Sequence, residues 1–220
     1  NDIKAPVEPE INYSEYTSDI QSPGLIINAD NLSISDDIVI TSNNQNITKM
    51  EVVLNQLDHT WVGDLQITLT NVNTGTSIVL ANLAGSGSYG SGGDDFIDTV
   101  FSDDAEKSID SIVSGDSPHT GLYYPSNDST RTFLSVFNGE NINSTWRLNV
   151  IDTYPSADNG YLVKWSLRFE PKESGESICY LSSSTENFNS LIEDNSIYFG
   201  SNPSNTTDNA LYNTSLGINS

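Results

Sequence analysis

Apolar and polar residues alternate with a period of two through the middle of this 220-residue chain, and that alternation leaves little choice of fold. In DLQITLT, Leu65, Ile67 and Leu69 alternate with Gln66, Thr68 and Thr70. Met50, Val52 and Leu54 oppose Lys49, Glu51 and Asn55. Trp146, Leu148 and Val150 alternate with Arg147 and Asn149, and Val163, Trp165, Leu167 and Phe169 with Lys164, Ser166 and Arg168. Ile38, Val39 and Ile40 add a short apolar run. Alternation of this kind buries one face and wets the other, as in antiparallel sheets packed face to face. Turn signals at Asn73 (NTG) and Ala157 (ADNG) separate the runs. No helical period of ten residues or more precedes residue 180. Without crossover helices, an all-β sandwich or jelly roll is expected rather than a parallel α/β sheet.

The strand pattern runs from about residue 24 to 170 and suggests three regions. Residues 1–20 are acidic, carry two prolines and read as a linker or arm. Residues 21–171 make the sandwich. Residues 172–220 are rich in Ser, Asn and Thr, and read as a tail or the start of a further module. Within them SIYFG at 196–200 fits one more strand, and TENFNSLIED at 185–194 one or two helical turns.

Charge excludes two classes of partner. Thirty Asp and Glu against eight Lys and Arg give a net charge of −22. Phosphate binding needs clustered cations, so nucleic acid is not expected, and an anionic membrane surface repels such a chain. No apolar run approaches the roughly 18 residues that cross a bilayer as a helix. A single cysteine, Cys179, rules out an intramolecular disulfide and a multi-Cys zinc site. Lack of disulfides leans towards the cytosol, but abundant Asn and Ser with scarce Lys point to a secreted bacterial protein. On that reading the Asn-x-Ser/Thr triplets at Asn12, Asn31, Asn46, Asn127, Asn143, Asn205 and Asn213 are by-products of composition. The chain starts at Asn1 without a basic or apolar leader, so a fragment or a mature product is expected.

Catalytic motifs are weak. Gly85, Gly87 and Gly90 spell G-x-G-x-x-G, but the following SGGDDFID is acidic and has no helical pattern to meet a pyrophosphate. A Ser/His/Asp triad has only His59 and His119 to draw on. The stretch Gly115–His119 lacks the glycine framework of an oxyanion hole, and His59 sits at a strand entrance where hydrogen bonding accounts for it. The acidic loop says more. Asp94, Asp95, Asp98, Asp103 and Asp104 lie close together, with Phe96, Ile97, Val100 and Phe101 between them as anchors. Crowded carboxylates need solvation or a hard cation, and Ca²⁺ accepts irregular oxygen ligand sets. The five aspartates are therefore either calcium ligands or a solvated acidic loop. Trp146 and Trp165 belong in the core, while Trp61 either packs at its strand entrance or stands exposed for a partner. Asp64, Asp152 and Asp158 fit turn and strand-end hydrogen bonding.

Together these stretches resemble the P domain, or Homo B domain, that follows the catalytic domain in kexin- and furin-like proprotein convertases and many bacterial subtilisin-like proteases. The resemblance is carried by HTWVGDL at 59–65 leading into QITLT, GTSIVL at 75–80, GGDDFIDTVFSDDA at 92–105 and GLYYP at 121–125. FNGENINSTWRLNVID at 137–152 and Asp158-Asn159-Gly160 before LVKWSLRF complete it. The order is right over about 150 residues, excluding 1–20 and everything after 171. Ser102 stands where the family commonly has an acid, with Asp98 as the nearby replacement. Trp61 replaces a commoner Tyr, and Asn143-Ser144-Thr145 the usual Asn-Gly-Thr.

The resemblance implies a jelly-roll β-sandwich of about eight antiparallel strands. It also implies a chain without catalytic residues that stabilises a neighbouring serine endopeptidase domain of the same parent chain, with calcium in its acidic loops. A protein- or glycan-binding module of another secreted or cell-surface protein is the alternative, and protein substrate is a possible partner in either case.

Overall fold

A computed structural model describes residues 13–41, 45–85, 93–126, 133–154, 158–170, 190–193 and 196–199. The chain divides into two compact units, Asn1–Ser174 and Gly175–Ser220. The described residues of the first unit form β1 (Ser14–Thr17), β2 (Leu25–Ile27), β3 (Ser33–Val39), β4 (Met50–His59), β5 (Leu65–Asn71), β6 (Ser77–Asn82), β7 (Phe96–Phe101), β8 (His119–Tyr123), β9 (Thr145–Asp152) and β10 (Gly160–Phe169). One sheet has the order β1-β10-β4-β7-β8, with β2 also paired to β10; the other has the order β3-β9-β5-β6. The all-β sandwich predicted by the alternation is what forms.

Period-two patterning supplies the core directly. Leu65, Ile67 and Leu69 of β5 and Trp146, Leu148 and Val150 of β9 are all buried, while their neighbours face outward. Trp146 bridges the sheets, with its ring 5.2 Å from Phe137 and 5.8 Å from Phe169 of β10. Its indole N–H donates to the Ile142 carbonyl at 3.1 Å, so the ring is buried without an unpaired donor. Each such large apolar side chain contributes about 1.5–3 kcal/mol on burial.

Four details depart from the sequence-based expectation. Register shifts flank Val163 and Lys164 where β10 meets β4, so Leu162 takes the buried place and Val163 is only half-buried. A β-bulge inserts a residue and reverses the alternation at that point. Secondly, β8 pairs with β7 in parallel rather than antiparallel. Thirdly, Ser14–Thr17 falls inside the stretch read as an arm, yet its backbone pairs with β10 from Ser166 to Phe169. Finally, in the second unit β11 (Ser190–Glu193) pairs antiparallel with β12 (Ser196–Phe199). SIYF is thus a strand, but SLIE is also a strand and not a helical turn.

One end of the sandwich collects the termini that matter below. There β4 ends at His59, opposite Gly160 at the start of β10, and β7 begins beside it at Phe96. A 3₁₀ turn, Val62–Asp64, carries the chain from β4 across to β5, whose first residue, Leu65, faces Asp152 at the end of β9.

Candidate functional site

An open cleft of about 230 Å³ lies at this end, lined by Asp58, His59, Thr60, Asp94, Asp95, Asn159, Gly160 and Tyr161. The β4–β10 ladder needs a glycine here. A Cβ on Gly160 would stand 1.9 Å from the Asp58 carbonyl oxygen and 2.9 Å from His59 Cα.

Beneath the cleft is a buried polar group. His59 Nδ1 lies 2.9 Å from the Trp61 carbonyl oxygen and 3.2 Å from the Trp61 amide, while the other ring nitrogen, Nε2, makes no hydrogen bond among the described residues. That nitrogen faces Asp152 Oδ2 at 3.6 Å, and both side chains are fully enclosed. Asp152 Oδ1 accepts the Tyr154 amide at 2.8 Å, and Thr60 Oγ1 donates to Asp158 Oδ1 at 2.8 Å. Burial, with Asp158 and Asp152 adding repulsion, pushes the Asp64 carboxyl up to about 6. The expectation of turn and strand-end hydrogen bonding for Asp152 and Asp158 is met.

The five aspartates of the acidic loop do not converge on one point. Asp95 Oδ1 accepts the His59 amide at 2.8 Å, and its backbone bonds both His59 and His119. Asp103 holds the Leu134 and Ser135 amides at 2.7 and 2.9 Å, capping the 3₁₀ turn Leu134–Phe137. Asp104 pairs with Lys49. Asp94 and Asp98 are exposed. Backbone geometry scatters them, for Asp95 and Asp98 both have positive φ, 59° and 48°. Among the described residues no group of three or more His, Cys, Asp or Glu is placed to hold a metal ion. Among the described residues the five carboxylates thus stand apart, three of them on separate protein partners.

The other motifs resolve simply. Ser117 Oγ donates to the Asp94 carbonyl at 2.7 Å and accepts its amide at 2.9 Å, so that hydroxyl is tied to backbone. His119 is fully buried against Gly93 and Phe96, and burial pulls its pKa down. Residues 86–90 of the glycine motif lie outside the described residues. Ser102 is buried, and Ser144, also buried, donates to Asn71 Oδ1. Asn71 Nδ2 in turn donates to Glu140 Oε2 at 2.7 Å. Nothing in the local sequence marks this network, because its members are far apart along the chain.

Trp61 is 38% exposed, and it does not stand alone. Leu32, Leu83 and Tyr154 are 46%, 40% and 60% exposed. Backbone hydrogen bonds place all four at the same end: Asp152 N–H to Leu32 O, Thr153 N–H to Asp64 O, Leu83 N–H to Leu65 O and Asp64 N–H to Trp61 O. Leu83 has φ of 54°, a left-handed conformation that costs a side-chain-bearing residue roughly 1–2 kcal/mol.

With this geometry in view, residues 117–169 match the family model of the proprotein convertase P-domain. Over that stretch the chain is similar to a P domain. The matched stretch contains β8, β9 and β10; HTWVGDL and the acidic loop precede it. The serine protease of Aeromonas sobria is similar at 18% identity, with 76% of this chain and 28% of that chain covered and a TM-score of 0.39. The same protease in complex with the chaperone gives 18% identity, 72% and 26% coverage and a TM-score of 0.39. This chain thus spans only about a quarter of the length of those proteins. No curated protein matches it.

Proposed function

We propose that this chain carries a P domain, a non-catalytic accessory domain of a secreted bacterial subtilisin-like serine protease, docking on the catalytic domain and raising its stability. The P-domain match over 117–169 carries the reading. Geometry supports it. Both histidines are buried, at 2% and 0% exposure, so neither is presented to a substrate as a general base. Ser117, the hydroxyl nearest His119 in sequence, is held by backbone. In this reading Asp95, Asp103 and Asp104 are structural groups that brace the loop.

The test compares the protease with and without this domain, by thermal unfolding and by activity remaining after heating. Loss of the domain is expected to lower the midpoint of the catalytic domain by several degrees. Equal midpoints and equal survival would overturn the reading. Specific glycan or protein capture by the isolated domain would then favour the binding-module alternative.

A further inference from the structure

We propose that the outer edge of β3 is a docking strip for an extended strand of another polypeptide, which adds antiparallel to β3 and sets a Lys or Arg opposite Asp36. This inference goes beyond the accessory-domain reading, because it gives the domain a peptide-binding role of its own.

The strip is defined by the backbone. Ile40 N–H donates to the Ser144 carbonyl and Asp152 N–H to the Leu32 carbonyl, so the even-numbered residues of β3 face β9. By alternation, Ser33, Ser35, Asp37 and Val39 turn their N–H and C=O groups away from it. β3 ends its sheet, and among the described residues no backbone group pairs with these four on that side. Ser33, Ser35 and Val39 are exposed.

The other edges are short or closed. Beside β6, Ser126 N–H donates to the Leu80 carbonyl and the Ser126 hydroxyl accepts the Asn82 amide. Beside β8, Lys107 and Ile109 bond Tyr124, and the Tyr123 hydroxyl donates to the Thr120 carbonyl. β1 and β2 have only four and three residues. β3 runs for seven residues without Pro, Lys or a register shift, the devices that blunt an edge against pairing. Donors and acceptors that repeat at roughly 7 Å along a straight edge match an extended polypeptide, not a sugar or a nucleic acid.

Side chains select the strand. Ile34, Asp36 and Ile38 share the inner face, where Asp36 Oδ2 accepts the Trp165 indole at 2.7 Å. Among the described residues Asp36 pairs with no cation, and its charged neighbours are the anions Asp37 and Asp19. A residue added opposite Asp36 enters a non-hydrogen-bonded pair, where side chains approach most closely. A cation there complements Asp36, and the residues two places to either side meet Ile34 and Ile38. The preferred segment therefore reads apolar, any, Lys or Arg, any, apolar. A second copy does not fit. Pairing β3 with itself about Asp36 sets Asp36 against Asp36, about Asp37 sets Asp37 against Asp37, and about Ser35 sets Asp36 against Ile34. Like charges directly opposite destabilise a ladder, and each copy carries a net charge of −22.

The experiment is amide hydrogen exchange of the full chain with an excess of the end-blocked peptide Thr-Val-Thr-Lys-Thr-Val-Thr. Protection of the Ser33, Ser35, Asp37 and Val39 amides is expected to rise severalfold. Exchanging the peptide's Lys for Glu should remove most of that gain, and Asp36→Asn should erase the preference for Lys over Glu. Methylated peptides test the pairing without touching the fold. Methylating the amide of either Thr beside Lys should abolish protection, whereas methylating the Lys amide should spare it. No protection by the Lys peptide, or equal loss with both kinds of methylation, would overturn the proposal. Protection that appears without peptide and grows with protein concentration would overturn the partner, since a second copy would then occupy the edge.

Discussion

The indole N–H of Trp165 on β10 donates to Asp36 Oδ2 on β3 at 2.7 Å, so a carboxylate of one sheet holds a fully buried ring of the other. Burial raises the Asp36 pKa, and the indole bond opposes that rise. Asp36→Leu would leave the indole donor unpaired in the core, at a cost of about 1–3 kcal/mol. Asp36→Asn keeps an acceptor and should cost clearly less. Urea unfolding of the two variants checks this, and equal losses would show that the hydrogen bond is not what matters.

Stability should respond to pH through two opposed groups. Asp64 has a folded pKa of about 6, above its ordinary value of 3.8, so the folded state holds that proton more tightly. Its contribution is fully present below about pH 4 and is lost as pH rises through 6, on the order of 2–3 kcal/mol. His119 runs the other way. Its folded pKa is lowered by burial against the pull of Asp116 and Asp94, so its contribution holds above 6.5 and is lost as pH falls below that value. Melting curves from pH 4 to 8 should therefore show Asp64→Asn losing the gain on acidification, and His119→Gln losing the penalty. An Asp64→Asn variant with an unchanged pH profile would refute the assignment.

Asp103 should matter with or without calcium. Its two oxygens hold the Leu134 and Ser135 amides. Asp103→Ala is expected to cost about 1–2 kcal/mol, as for loss of a helix cap. The fall in midpoint should be the same in millimolar calcium and in EDTA. A loss seen in calcium alone would instead mark Asp103 as a metal ligand.

Gly160→Ala should be severe. The new methyl would meet the Asp58 carbonyl at 1.9 Å, and the surrounding ladder of β4 and β10 has little room to yield. A cost of about 3 kcal/mol or more is expected from chemical denaturation. A loss under about 0.5 kcal/mol would mean the ladder opens freely, contrary to its close packing.

The acidic loop shows what reading along the chain could not decide. Asp94 to Asp104 are neighbours in sequence, and their crowding left calcium ligation and a solvated loop both open. In the fold each carboxylate answers to something distant: Asp95 to His59, Asp103 to Leu134 and Ser135, Asp104 to Lys49. Positive φ at Asp95 and Asp98 turns the chain between them, and no local pattern announces those turns. The bulge at Val163 escaped notice for the same reason, since a single inserted residue only appears against its partner strand.

What the sequence by itself determined is the class of fold and much of its core. Alternation has a period that only a strand can satisfy, so Leu65, Ile67, Leu69, Trp146, Leu148 and Val150 could be assigned to the interior before any partner was known. Tertiary structure alone decided which strands pair, that β8 lies parallel to β7, and that Leu32, Trp61, Leu83 and Tyr154 share one end. Burial follows from each residue's own polarity and the local period. Pairing and the meeting of distant side chains depend on loop closure and on the twist of both sheets, which no short window of sequence contains.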